Sequence, residues 1–122
     1  IRSGSISTVD INESVTMSGG SINRLNLNAN NKMTYKNGTI TNIYIYGQID
    51  LSSINAKYIY DYTTDPVSIS DSTISSIYTP NRSDGVNLTL NNNTIDSINV
   101  SYSFGSNNIN IKSGTINSIN CN

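Results

Sequence analysis

The sequence predicts an all-β fold in a single domain, 1–122, in which short parallel strands stack as a solenoid of about seven rungs. Three observations predict it. A motif of Ser or Thr, then Ile, two mostly polar residues and an apolar-polar-apolar triplet returns seven times. Successive copies lie 14 to 21 residues apart, a period suited to one rung per copy. No stretch keeps a 3.6-residue apolar stripe, while Ile, Val, Thr and Tyr, which favour strands, are plentiful.

The rungs follow in order. The first reads Ser5-Ile6-Ser7-Thr8-Val9-Asp10-Ile11. Period-two alternation turns Val9 and Ile11 inward and Asp10 outward. A second apolar-polar-apolar unit, Val15-Thr16-Met17, leads into the next copy, Ser21-Ile22, and the same order returns at Met33-Thr34-Tyr35 before Thr39-Ile40. It continues with Ile49-Asp50-Leu51 before Ser53-Ile54, Val67-Ser68-Ile69 before Thr73-Ile74, Leu88-Thr89-Leu90 before Thr94-Ile95, and Ile109-Asn110-Ile111 before Thr115-Ile116. From the last apolar residue of each unit to the motif Ile is five residues in five of six cases; Leu51 to Ile54 is three. Gly4, Gly20, Gly38 and Gly114 precede the Ser/Thr-Ile pair, as a tight corner requires. The opposite connection varies in length, so insertions gather along one edge.

Stacked in register, the copies give five inward ladders. The corner ladder is Ile6, Ile22, Ile40, Ile54, Ile74, Ile95 and Ile116. The strand after it supplies Val9, Leu25, Ile43, Lys57, Ile77, Ile98 and Ile119, then Ile11, Leu27, Ile45, Ile59, Thr79, Val100 and Cys121. The strand before it supplies Val15, Met33, Ile49, Val67, Leu88 and Ile109, then Met17, Tyr35, Leu51, Ile69, Leu90 and Ile111. Lys57 and Thr79 break the pattern; at Lys57 a bulge would let Ala56 or Tyr58 take the inward place. Each buried Ile or Leu contributes about 2 kcal/mol. Seven rungs at about 4.8 Å make a rod of roughly 34 Å. The competing fold is an antiparallel β-sandwich.

The Gly-Ser/Thr-Ile corners and paired strand units resemble the parallel β-helix family, the pectin-lyase-like and adhesin-type solenoids of secreted and surface proteins. The resemblance covers nearly the whole chain and implies architecture rather than activity. Enzymes of that family use clustered Asp with calcium; here Asp10 and Asp50 fall on different faces.

Chemistry-bearing residues are few. The chain has no His and one Cys, which removes Ser-His and Cys-His catalysis and the common zinc sites. No cofactor is implied, and the chain reads as a non-enzyme. Asp61, Asp65 and Asp71 lie near the longer loop of the fourth rung and read as solvated acids, with a weak calcium site at Asp61 and Asp65 as the rival reading. Cys121 falls on an inward ladder and reads as a buried thiol, with an intermolecular disulfide as the alternative.

The outward ladder after the corner reads Asp10, Asn26, Tyr44, Tyr58, Tyr78, Asn99 and Asn120. Tyr44, Tyr58 and Tyr78 would stack in consecutive rungs, with Tyr46, Tyr60 and Tyr62 beside them. Such a face suits contact with sugar rings or another protein. The second outward ladder, Thr16, Thr34, Asp50, Ser68, Thr89 and Asn110, is too irregular for ice and suits hydrogen bonding along the stack.

Charged residues make up only 12%, the net charge is −1, and 21 Asn, 20 Ser and 12 Thr fill the surface. The scattered basic residues give no nucleic-acid footprint, and no apolar run spans a membrane. Six sequons, at Asn12, Asn37, Asn81, Asn87, Asn92 and Asn99, fit an extracellular glycoprotein, although this composition yields that many by chance. The lack of an initiator Met points to a processed chain or a fragment. Neither flank carries a recognisable cap, and open strand edges pair. The expected function is a self-assembling subunit of an extracellular filament, sheath or surface layer, joined head to tail. The alternative is a glycan-binding adhesin or tail-fibre module using the Tyr face.

Overall fold

The computed structural model describes residues 1–13, 15–28, 31–35, 38–80, 85–101 and 107–121. One sheet stacks β1 (Ser5–Ile11), β3 (Ser21–Leu27), β5 (Thr39–Ile45), β7 (Asn55–Asp61), β9 (Thr73–Thr79), β11 (Asn93–Val100) and β13 (Gly114–Cys121), in that order. The other stacks β2 (Val15–Met17), β4 (Asn31–Tyr35), β6 (Ile49–Ser52), β8 (Val67–Ser70), β10 (Asn87–Asn91) and β12 (Asn108–Ile111). The chain alternates between sheets, so each strand pairs with the one two steps on. Every pairing among the described residues is parallel. The protein is a parallel β-solenoid, which overturns the antiparallel sandwich.

The core lies between the two sheets. Leu25, Ile43, Ile59, Ile77 and Ile98 form one fully buried column, and Leu51, Ile69 and Leu90 face it from the second sheet. In β5, β7 and β9 the first inward residue is followed by two outward ones before alternation resumes. That is why the motif reads Ile-x-x-apolar-x-apolar rather than strict alternation.

Three expected ladders need correction at the fourth rung. Ile40 pairs with Ala56, and Ala56 with Ile74, so Ala56 replaces Ile54 in the corner column. Two residues further on, Ile59 replaces Lys57 between Ile43 and Ile77, and Asp61 replaces Ile59 beside Ile45. Lys57 is exposed, with its ammonium 5.2 Å from the Tyr58 ring centre. With Ala56 in place the distance from Leu51 becomes five residues, matching the other corners. Thr79 does keep its expected place, buried beside Val100, and its hydroxyl accepts from the Ser101 N–H at 3.3 Å.

The corner explains the slip. Ser53, Asp71 and Asn92 turn the chain at φ 56°, 52° and 56°, in the left-handed region where Asn and Asp are enriched. The residues that follow, Ile54, Ser72 and Asn93, are buried inside the corner. Ile54 is therefore a corner filler rather than a ladder residue. The earlier corners turn instead at Gly4, Gly20 and Gly38, with φ of 89°, 84° and 112°. Gly114 (φ 110°) lies in register with Asn93, and a Cβ there would collide with the Asn93 backbone. Only Gly fits that position.

The second sheet carries another two-residue difference. Met33 pairs with Leu51 rather than Ile49, and Lys32 with Asp50, so Thr34 lies beside Ser52. The first two corners thus hold two more residues between register-equivalent positions than the later ones. Ile1 extends the same sheet: the Ser18 N–H donates to its carbonyl at 2.8 Å, and its side chain packs on the core. Val86, absent from the expected core, is also buried, and its N–H donates to Asn107 Oδ1 at 3.1 Å.

Candidate functional site

The two-residue slip at the fourth rung builds the tyrosine face. Tyr44 pairs with Tyr60 and Tyr60 with Tyr78, so Tyr60, not Tyr58, is the middle member of the column. Tyr58 lies in the adjacent outward column between Asn42 and Ser76. The parallel register holds side chains one rung apart, close to the stacking distance of aromatic rings. Tyr44 and Tyr60 stack with ring centres 4.9 Å apart and planes 12° from parallel; Tyr60 and Tyr78 stack at 5.3 Å and 14°. Just beyond β5 and β7, Tyr46 and Tyr62 form a second stack at 5.4 Å and 13°. Tyr44 and Tyr62 link the two stacks at 6.3 Å and 9°. Tyr58 meets Tyr60 and Tyr78 only at tilts of 50° and 53°.

All the tyrosines expected at this face are thus brought together, with Tyr62 as a full member. The stacks cover ring faces. Tyr46 and Tyr62 are the most open, each 44% exposed. Arg24 closes the outer face of Tyr44, its guanidinium 4.1 Å from the ring centre, and is held there by an Nε–H bond to Asn26 Oδ1 at 3.0 Å. The column continues as amide ladders on both sides. Asn26 Nδ2 donates to Asp10 Oδ1 at 2.6 Å, and Asn120 Nδ2 donates to Asn99 Oδ1 at 3.0 Å.

Burial in the stack, reinforced by the phenols of Tyr44, Tyr78, Tyr58 and Tyr62, raises the Tyr60 hydroxyl above the ordinary tyrosine value of 10.0. An alkaline absorbance titration is expected to show a phenol step above the ordinary tyrosine value, and Tyr60→Phe to remove that step. The linkage runs one way. The raised pKa adds stability that is complete below the ordinary tyrosine value and is lost as pH climbs through the Tyr60 pKa. Wild type and Tyr60→Phe losing stability in parallel above about pH 10 would contradict this.

The other expected sites fare differently. Asp61 is not a solvated loop acid: its side chain is 1% exposed, and Oδ1 accepts from the Thr63 N–H at 3.0 Å. Asp65 and Asp71 are exposed, and no cluster of three metal-ligating side chains occurs among the described residues. Cys121 is exposed rather than buried: it lies on β13, the edge strand of its sheet among the described residues. Among the sequons, Asn12 and Asn92 are exposed, Asn87 and Asn99 are half-buried on strands, and Asn37 and Asn81 lie outside the described residues. Asn92 Nδ2 is engaged with Asp71 Oδ1 at 2.7 Å, and Asn99 Nδ2 with Ser97 Oγ at 3.2 Å.

The end layers form a second candidate surface. In β12 and β13, inward positions that are buried in the layers from β6 to β11 are open: Ile111 is 42% exposed and Ile119 46%. Ile116 is half-buried. At the opposite end Ile6 and Val9 are half-buried. No helix among the described residues is long and apolar enough to cross a membrane. Compared with known protein families, curated proteins and solved structures, the chain matches none.

Proposed function

We propose that this chain is a structural subunit of an extracellular filament, sheath or surface layer, joined head to tail through its end layers. The observation that carries the reading is the match between those layers. Both layers bear the same motif, Ser5-Ile6-Ser7-Thr8-Val9-Asp10-Ile11 and Thr115-Ile116-Asn117-Ser118-Ile119-Asn120-Cys121. An incoming first layer set on β13 in the register of the internal pairings would place Ile6 over Ile116, Val9 over Ile119 and Ile11 over Cys121. Strand edges would pair while the core continues across the joint. A contact of this kind does not close on itself, so repetition gives a rod. A net charge of −1 opposes stacking only weakly. The hydroxyl and amide surface supports a place outside the cell. Sedimentation and electron microscopy are expected to show rods that lengthen with concentration; dispersed monomers throughout the range would refute the assignment.

A second reading is a glycan-contacting module of the adhesin or tail-fibre type. The exposure of Tyr46 and Tyr62 favours it. Glycan-array binding lost in Tyr46→Ala/Tyr62→Ala would support this reading, and an array without hits would remove it.

A further inference from the structure

The six tyrosines do more than decorate a face. Among the described residues, each of the four stacked ring pairs contains Tyr60 or Tyr62, and each joins neighbouring rungs. The side chains that usually intercept a one-electron oxidant are scarce elsewhere. The chain has no Trp and no His, Met17 is fully buried, and Cys121 sits on the last strand. Tyr46 and Tyr62 are exposed to the oxidant, and ring contacts of 4.9 to 6.4 Å connect them to the remaining phenols.

We propose that this cluster is a site of oxidative tyrosine–tyrosine coupling, in which a one-electron oxidant of the peroxidase and hydrogen peroxide class staples adjacent rungs covalently. Each of two stacked phenols gives up one electron and one proton to form a phenoxyl radical. The radicals join at carbons ortho to the hydroxyls, making one C–C bond. Two C–H bonds are lost as the rings regain aromaticity, and the protons return to the phenol oxygens. The net loss is two hydrogens, and hydrogen peroxide leaves as two waters. Near-parallel stacking at 4.9 to 5.4 Å between ring centres keeps neighbouring phenols next to each other, so the radicals meet by side-chain rotation. A bridge from Tyr44 to Tyr60, or from Tyr46 to Tyr62, ties the β5 rung to the β7 rung. It acts as a disulfide would, by limiting the unfolded chain, in a protein whose one cysteine cannot form an internal disulfide.

The inference does not depend on head-to-tail assembly and is tested on dilute protein. The Cys121→Ser chain is treated with peroxidase and limiting hydrogen peroxide. Expected are dityrosine fluorescence, a monomer lighter by two hydrogens, a cross-linked peptide pairing Tyr44 with Tyr60 or Tyr46 with Tyr62, and a higher melting temperature. Tyr60→Phe/Tyr62→Phe keeps the rings and the fold but removes every stacked phenol pair among the described residues; its intramolecular product is expected to fall at least tenfold. Tyr58→Phe, which alters only tilted pairs, should retain it. Covalent dimers as the sole wild-type product, or an undiminished intramolecular product in the double variant, would overturn the assignment.

Discussion

Replacing Asn93 with Ala is expected to destabilise the fold by roughly 2–5 kcal/mol, read as a shift of the urea midpoint at unchanged slope. Asn93 is 2% exposed and serves two backbone groups inside the corner. Its Oδ1 accepts from the Ser72 N–H at 3.0 Å, and its Nδ2 donates to the Ile69 carbonyl at 2.8 Å. Ser72 extends the chain of bonds: its Oγ accepts from the Ile54 N–H at 3.0 Å and donates to the Ser70 carbonyl at 2.7 Å. Truncation strands a donor and an acceptor where water does not reach, and it leaves a cavity. Asn93→Asp separates the two roles, since it keeps the acceptor but sets a carboxylate oxygen against the Ile69 carbonyl. It should be tolerated better at acid pH, where a protonated carboxyl can donate. A loss below about 1 kcal/mol for Asn93→Ala would show that the corner is held by its turning residues alone.

Ile119→Lys is expected to abolish rods while leaving the monomer folded. The position pairs with Ile98, one of the fully buried residues, yet is itself 46% exposed because it lies on the end layer. In the free chain a lysine there keeps its ammonium in water. In the joint the ammonium would be buried against Val9 of the incoming layer with no partner. Losing about 2 kcal/mol of apolar burial and adding several of desolvation weakens the contact by three decades or more. The paired control is Ile43→Lys, which puts the same charge in a fully buried middle layer and should unfold the chain. Rods of undiminished length from folded Ile119→Lys would eliminate the end layers as the joint.

Much of this architecture is legible because each copy writes its rung out in full. The seven Ser/Thr-Ile motifs, the alternation after each, and the five-residue step across the corner required layers with a dry interior, and the parallel pairings have that form. Most departures gather at the fourth rung; Cys121 departs separately, exposed on the edge strand β13. Ser53-Ile54 has the letters of the motif, but Ile54 fills the corner, as Ser72 and Asn93 do in the next two layers. The step from Leu51 to Ala56 carried the right answer, because five residues recur there as at the other corners. Ala56 was hard to see because a small residue beside a larger neighbouring filler carries little hydrophobic signal. The tyrosine site went astray with it. Tyr58 and Tyr60 are both outward by alternation, and only the register separates them.

Period-two patterning by itself determined that these strands bury one face, where the corners fall, and which tyrosines point away from the core. Tertiary structure decided which residues share a column. The reason is that a slip of one residue turns the apolar set toward solvent and is costly, whereas a slip of two preserves the alternation. Left-handed turns at Ser53, Asp71 and Asn92, and the space inside each corner for one more side chain, settle that choice. They place Tyr60 between Tyr44 and Tyr78.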